Sequence, residues 1–314
     1  MYRKEIKVLD CTIRDGGLIN KWDFSDKFVK SVFNALYKTG VDYMEIGYKA
    51  SKKIISPDGL GKWRFCDEED IKPIAKETKM KLAAMVDIGR VDPSDIKPKK
   101  DSVLDMIRIA TYVKDIDKAI DLVKLFNDRG YETTVNIMAI SNERDQDLDE
   151  ALTQLSKTAV GTAYVVDSFG SLYSEQIEFL VKKYKSFLPG KTIGIHAHNN
   201  TQLAFGNTIE SIIHGANMLD ATVYGIGRGA GNCPLELLIG FLKNPKFKLR
   251  PLLDLIETEF VPLRNKIEWG YLIPYALTGI LDQHPRTAMA VRQTDKKDNY
   301  VEYYDSLTND YIGK

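Results

Sequence analysis

Short runs of apolar residues recur along the chain, and most are followed by a longer stretch in which apolar positions return every third or fourth residue. The short runs fall at 6–12, 43–48, 82–87, 104–110, 133–138, 163–168, 192–197 and 219–224. Most are β-branched or continuously apolar, which predicts strands buried on both faces. The longer stretches at 25–39, 68–78, 116–129, 147–157, 174–186, 202–214 and 234–242 predict amphipathic helices, with only a short segment near 93–97 in the remaining interval. Eight such units within about 240 residues suit a closed (β/α)8 TIM barrel better than an open sheet. A doubly wound sheet is the alternative, and it is disfavoured because no glycine-rich dinucleotide loop follows the first run.

The predicted organisation is a barrel domain over 1–245 and a helical extension over 246–314. In the extension, 252–268 is amphipathic, 271–281 is apolar with two tyrosines, and DKKDN at 295–299 reads as a turn. The extension is expected to pack on the barrel mouth or to form a dimer surface.

Barrels of this kind carry their chemistry on the rim at the C-terminal strand ends. TIGIHAHNN ends a strand in His196 and His198, and residues two apart in an extended strand face the same side, so both imidazoles address one space. Two of the four histidines of the chain are spent there, which points to cation binding or acid–base work. The first strand end delivers Thr12, Arg14 and Asp15, and Asp15 is the natural third ligand, with Asn232 available as a fourth oxygen. Other polar groups at predicted strand ends are Glu45, Tyr48, Arg108, Thr111, Asn136, Asp167 and Ser168.

Composition narrows the partners. Lys plus Arg and Asp plus Glu balance at 44 each among 314 residues, so no global field favours nucleic acid or an anionic membrane. Three scattered cysteines, Cys11, Cys66 and Cys233, make no disulfide framework, and no apolar run is long enough for a membrane span. These features predict a cytoplasmic protein. Cys11 and Cys233 read as small packed residues, and His214 as a helix C-terminal cap.

LDCTIRDGG, IRIAT, VVDSFG, HAHNN and GIGRGAGNCPLE, in this order between residue 9 and about residue 240, resemble the DRE-TIM metallolyase (HMG-CoA lyase-like) superfamily, and within it the 4-hydroxy-2-oxovalerate aldolase-like proteins. The resemblance implies Mn²⁺ or Mg²⁺ held by Asp15, His196 and His198, with a pyruvate-like 2-oxo acid chelating the metal. It implies Arg14 as the donor that stabilises a developing enolate, and Glu45, Arg108, Asn136 and Asp167 around the substrate, although Arg108 can equally pair with Glu45 or Asp167 to brace the barrel. It also departs from the family: the aldolases place a catalytic histidine two residues after the Arg-Asp-Gly motif, where this chain has Leu18. Tyr48, Tyr271, Tyr275 and His284 are the candidate replacements, His284 foremost because an ordinary imidazole titrates near neutrality.

The glycine-rich stretch 225–232, which contains Arg228, is compatible with a phosphorylated or nucleotide-linked substrate, although the family keeps this turn so that backbone can approach the metal. The expected function is a homo-oligomeric, metal-dependent aldolase or lyase acting on a 2-oxo acid with an aldehyde or acyl co-substrate. The alternatives are a Claisen-type acyltransferase joining acyl-CoA to a 2-oxo acid, and a metal-binding barrel without turnover.

Overall fold

The computed structural model describes residues 3–75 and 79–312, with the backbone alone for 309–312. Eight parallel strands close into one barrel in sequence order: β1 (Lys7–Asp10), β2 (Tyr43–Tyr48), β3 (Lys81–Asp87), β4 (Met106–Thr111), β5 (Glu132–Ile137), β6 (Thr162–Asp167), β7 (Thr192–Ala197) and β8 (Met218–Ala221). Closure is the β1–β8 pairing, with Leu9 opposite Asp220. Strands β2, β4 and β6 are buried at every position, as expected when helices cover the outside and side chains fill the inside.

The helices are α1 (Thr12–Asn20), α2 (Asp26–Thr39), α3 (Glu68–Ile71), α4 (Ile116–Asp128), α5 (Asp145–Ser156), α6 (Ser174–Phe187), α7 (Ala204–Ile213) and α8 (Leu235–Leu242), followed by α9 (Arg250–Leu255), α10 (Val261–Arg264), α11 (Ile273–Ile280), α12 (Arg286–Val291) and α13 (Tyr300–Ile312). The predicted helix at 68–78 is a single turn, α3, among the described residues, and its positions 76–78 lie outside them. His214 sits at the C-cap of α7 as expected, its Nε2 2.8 Å from Glu210 Oε1. Cys11 and Cys233 are fully buried.

Two local differences position the site. First, β1 stops at Asp10, and the predicted strand residue Thr12 instead opens α1. Asp10 supplies the start signal, accepting from Thr12 N at 3.1 Å and from Thr12 Oγ1 at 2.6 Å. Arg14 and Asp15 therefore lie on the first turns of a short helix. Gly17 on that helix leaves room for the Trp22 indole, whose ring a Cβ would meet at 1.9 Å, and Trp22 Nε1 donates to Arg14 O at 2.9 Å.

Second, the predicted helix at 252–268 is observed as α9 and α10 joined by a π-helical turn, Ile256–Phe260. Pro262 lacks an N–H and crowds the carbonyl four residues back, which accounts for a wider turn at this point. This segment packs on α2, with Phe260 5.4 Å from Phe28 between ring centroids and Ser31 Oγ donating to Glu259 at 3.1 Å.

The rest of the C-terminal part is tied to the loops that follow β6 and β7. Asn200 Nδ2 donates to Tyr275 O at 3.1 Å and to Thr278 Oγ1 at 3.2 Å, and Ser171 Oγ donates to Asp282 at 2.5 Å. Tyr275, Ala288, Tyr303 and Leu307 form a separate small core with Ala230. Among the described residues no helix is long and apolar enough to cross a membrane.

Candidate active site

His196, in β7, and His198, just beyond it, place their rings 5.1 Å apart and nearly perpendicular, at 89°. Asp15 reaches them from α1: its Oδ2 is 3.5 Å from His196 Nε2 and 3.9 Å from His198 Nε2. Asp15 is completely buried, yet neither carboxylate oxygen has a hydrogen-bond partner, and His196 Nε2 lacks one as well. Buried polar atoms left unpaired are costly, so a convergent set of them marks a place built for a ligand. Asn232 completes the set. Its Nδ2 donates to Ile226 O at 3.1 Å while its buried Oδ1 has no partner. Gly227 makes this approach possible, because a Cβ there would lie 2.0 Å from Asn232 Nδ2 and 3.3 Å from Asp15 Oδ2.

Protonation fits cation binding. Burial disfavours the Asp15 carboxylate, but Arg14, His198 and His196 outweigh it and hold Asp15 well below the usual carboxylate range. Burial keeps the His198 imidazole neutral, well below its usual value, despite the opposing pull of Asp15. At His196 burial is outweighed by Asp15 and Asp220, one on each ring nitrogen, so positive charge is favoured at this spot. One carboxylate, two imidazoles and an amide oxygen are a donor set that suits a divalent cation.

Asp220 in β8 was not among the sequence candidates. Its Oδ2 lies 3.0 Å from His196 Nδ1, so that nitrogen carries the proton and Nε2 is turned toward Asp15. Asp220 belongs to a closed circuit of alternating charge. Arg14 meets Asp15 at 3.4 Å and Glu45 at 2.7 Å, Arg108 meets Glu45 at 2.9 Å and Asp220 at 2.5 Å, and Asp220 returns through His196 to Asp15. For Arg14 and Arg108 alike, burial works against the charge and the carboxylates more than offset it.

Three expected substrate contacts lie off the cavity, two of them in this circuit, where Arg108 pairs with Glu45 as the other reading of Arg108 expects. Glu45 and Arg108 are fully buried below the mouth, Arg108 with its guanidinium 4.5 Å from the centre of the Tyr164 ring, and neither lines the cavity. They brace the barrel and hold Arg14. Asp167 also lies off the cavity. Its Oδ1 accepts from Ser171 N at 3.0 Å and Leu172 N at 3.4 Å, closing the loop after β6, and burial pushes it up to about 7.

A cavity of about 310 Å³ opens above the cluster, with Arg14, Leu18, Tyr48, Asn136, Arg228 and His284 around it. Arg14 Nη2 and Asn136 Nδ2 are buried donors with no acceptor. Burial holds the Tyr48 phenol protonated, above its usual range. His284 reaches the cavity from the C-terminal part, where Arg228 Nη1 lies 3.1 Å from its Nε2 and Arg286 N donates to its Nδ1 at 3.1 Å. Burial, then Arg228 and Arg286, push it down to about 4, so the ring is neutral at neutral pH. The two expected tyrosines are not at the cavity: Tyr271 is 57% exposed to solvent, and Tyr275 is 4% exposed inside the small C-terminal core.

The HMGL-like family model matches residues 5–259. A 4-hydroxy-2-oxovalerate aldolase of Thermus thermophilus is 30% identical over 289 residues, covering 86% of this chain and 81% of that protein. An oxaloacetate decarboxylase of Mycobacterium tuberculosis is 27% identical over 246 residues, covering 76% and 70%. Among solved structures, the N-terminal domain of a putative aldolase from Bacteroides vulgatus superposes with a TM-score of 0.78 at 30% identity, covering 93% of this chain and 98% of that one. The matched span contains the first strand, the histidine pair and the glycine-rich turn that build the cluster, and the chain belongs to the HMGL-like family.

Proposed function

We propose that this protein is a metal-dependent carbon–carbon lyase that cleaves or forms the bond next to the carbonyl of a pyruvate-like 2-oxo acid. The observation that carries this is the set of buried atoms without a hydrogen-bond partner on Asp15, His196 and Asn232, next to a cavity that His196, His198 and Arg14 line and where Arg14 Nη2 also lacks a partner. Asp15, His196, His198 and Asn232 would hold Mn²⁺ or Mg²⁺, which supplies Lewis-acid polarisation of a 2-oxo carbonyl when bound.

In the cleavage direction the C4 hydroxyl of a 4-hydroxy-2-oxo acid gives up its proton, and the electron pair of the broken O–H bond becomes the π bond of the aldehyde carbonyl. The C3–C4 pair moves toward the C2 keto oxygen, and C3 then takes a proton to give the shortened 2-oxo acid. Arg14 donates to the keto oxygen as charge gathers there, and its fixed charge means it surrenders no proton in doing so. Asn136 Nδ2 is a second donor for the acid's oxygens. His284, neutral at neutral pH, is the acid–base candidate that the cavity offers for the hydroxyl proton. Leu18 on α1 adds an apolar wall at the position where the aldolases carry their histidine.

The test is exchange of the methyl protons of pyruvate with deuterated solvent on addition of Mn²⁺, followed by NMR. Exchange is expected in the native protein and reduced by at least about 100-fold in Asp15→Asn. No exchange with pyruvate or any of a panel of 2-oxo acids would count against the proposal.

A further inference from the structure

The outer part of the same cavity holds more positive than negative charge. Six charged side chains line it there: Asp87, Arg90, Lys114, Asp115, Arg228 and Arg286. Three are neutralised locally, Arg90 and Asp87 by each other at 3.0 Å and Asp115 by Lys118 at 2.7 Å. Lys114, Arg228 and Arg286 have no carboxylate within ion-pair distance among the described residues. Arg228 is only partly exposed, its Nε is buried without an acceptor, and its partners are the Ser168 carbonyl and His284, neither of them an anion. Burial lowers its affinity for a proton, the expected response of a guanidinium that lacks a counter-charge.

The three cations come from separate places: Lys114 from the turn after β4, Arg228 from the glycine-rich turn after β8, and Arg286 from the start of α12. A chain with equal numbers of basic and acidic residues has gathered three uncompensated cations around one opening, so the surplus is local. The carboxylate and keto group of the 2-oxo acid are already provided for deeper in, by Arg14, Asn136 and the metal ligands. The surplus therefore faces the other reactant.

We infer that the co-substrate is an aldehyde bearing an anionic group, a phosphate ester, which Arg228, Lys114 and Arg286 receive at the outer end of the cavity. Two planar guanidinium forks and one ammonium suit the several oxygens and near-double charge of a phosphate better than a single carboxylate. This inference rests on the lyase proposal for the reaction itself.

Two measurements test it. With Mn²⁺-loaded protein and pyruvate, kcat/KM for C–C bond formation is compared for glyceraldehyde 3-phosphate, glyceraldehyde and succinic semialdehyde. The phosphorylated aldehyde is expected to lead glyceraldehyde by about 100-fold or more, and Lys114→Ala and Arg286→Ala should each cut that ratio by about 10-fold. Calorimetric titration with inorganic phosphate, which needs no turnover, is expected to show one site that weakens by about 10-fold or more in each variant. Equal rates for glyceraldehyde and its phosphate, or a clear lead for succinic semialdehyde, would overturn the phosphate assignment. If pyruvate exchanges its protons while phosphate fails to bind, the inference falls and the lyase stands. If phosphate binds at these residues while pyruvate does not exchange, the lyase proposal falls and the anion subsite stands.

Discussion

At the scale of single residues, the division of labour around Asp15 is between groups that would touch the ion and groups that aim them. Asp220 is of the second kind, since it fixes the His196 tautomer without facing the cavity. Asp220→Asn is expected to weaken Mn²⁺ binding by about 10- to 100-fold in direct titration, a measurement independent of turnover. His284 carries a pH signature. Its folded value of about 4 lies below the ordinary imidazole value of 6.5, so the unfolded chain takes up the proton first as pH falls. Its contribution to stability is full above 6.5 and declines as pH drops toward 4. Thermal melts over that window should therefore be flatter with pH in His284→Gln than in the native protein.

The convergence of Asp15, His196 and His198 was legible in the sequence because each belongs to a compact motif whose spacing fixes direction. That Glu45, Arg108 and Asp167 lie off the cavity was not legible for a definite reason, although the pairing of Arg108 with Glu45 is one of the two readings the sequence offers. The two-residue period of a strand tells inward from outward, but height within a barrel depends on register between strands, and register is settled only on closure. Asp220 escaped notice for the same reason: a lone aspartate in MLDA gains its meaning from the histidine that the neighbouring strand sets beside it.

At the scale of elements, the strand-to-helix switch at Asp10–Thr12 and the glycine-rich turn after β8 bring the ligands together. All eight strands were readable from their apolar runs, whereas α1 was not, because its start depends on a side-chain cap inside what reads as a continuing strand. The turn after β8 approaches α1 closely only because Gly227 has no side chain. Gly227→Ala is expected to push Asn232 away from Asp15 and to weaken Mn²⁺ binding by about 10-fold or more, while far-UV circular dichroism stays that of the native protein. Of the C-terminal helices, those at 252–268 and 271–281 were legible as elements, α12 and α13 were not, and the placement of none was. Tyr271 and Tyr275 share the apolar run that becomes α11, and nothing local shows that one meets solvent and the other a small core.

At the scale of the whole molecule, the barrel does two jobs at once: it is the hydrophobic core, and it carries a belt of charge through its interior. The C-terminal part, tied down through Asn200 and Ser171, delivers His284 and Arg286 to an opening otherwise made from barrel residues and the turn after β8. The circuit through Asp15, Arg14, Glu45, Arg108, Asp220 and His196 has a consequence of parity. Signs alternate around it, so changing any one station takes one of two partners from each neighbour and leaves an odd buried charge, whereas removing an adjacent opposite pair leaves the remaining charges in balance. Arg108→Met alone should cost about 3–5 kcal/mol in urea unfolding, and adding Glu45→Gln should return part of that loss. Drift through such a loop proceeds in couples, and a lineage that has altered one member without its mate should show the debt elsewhere in the barrel.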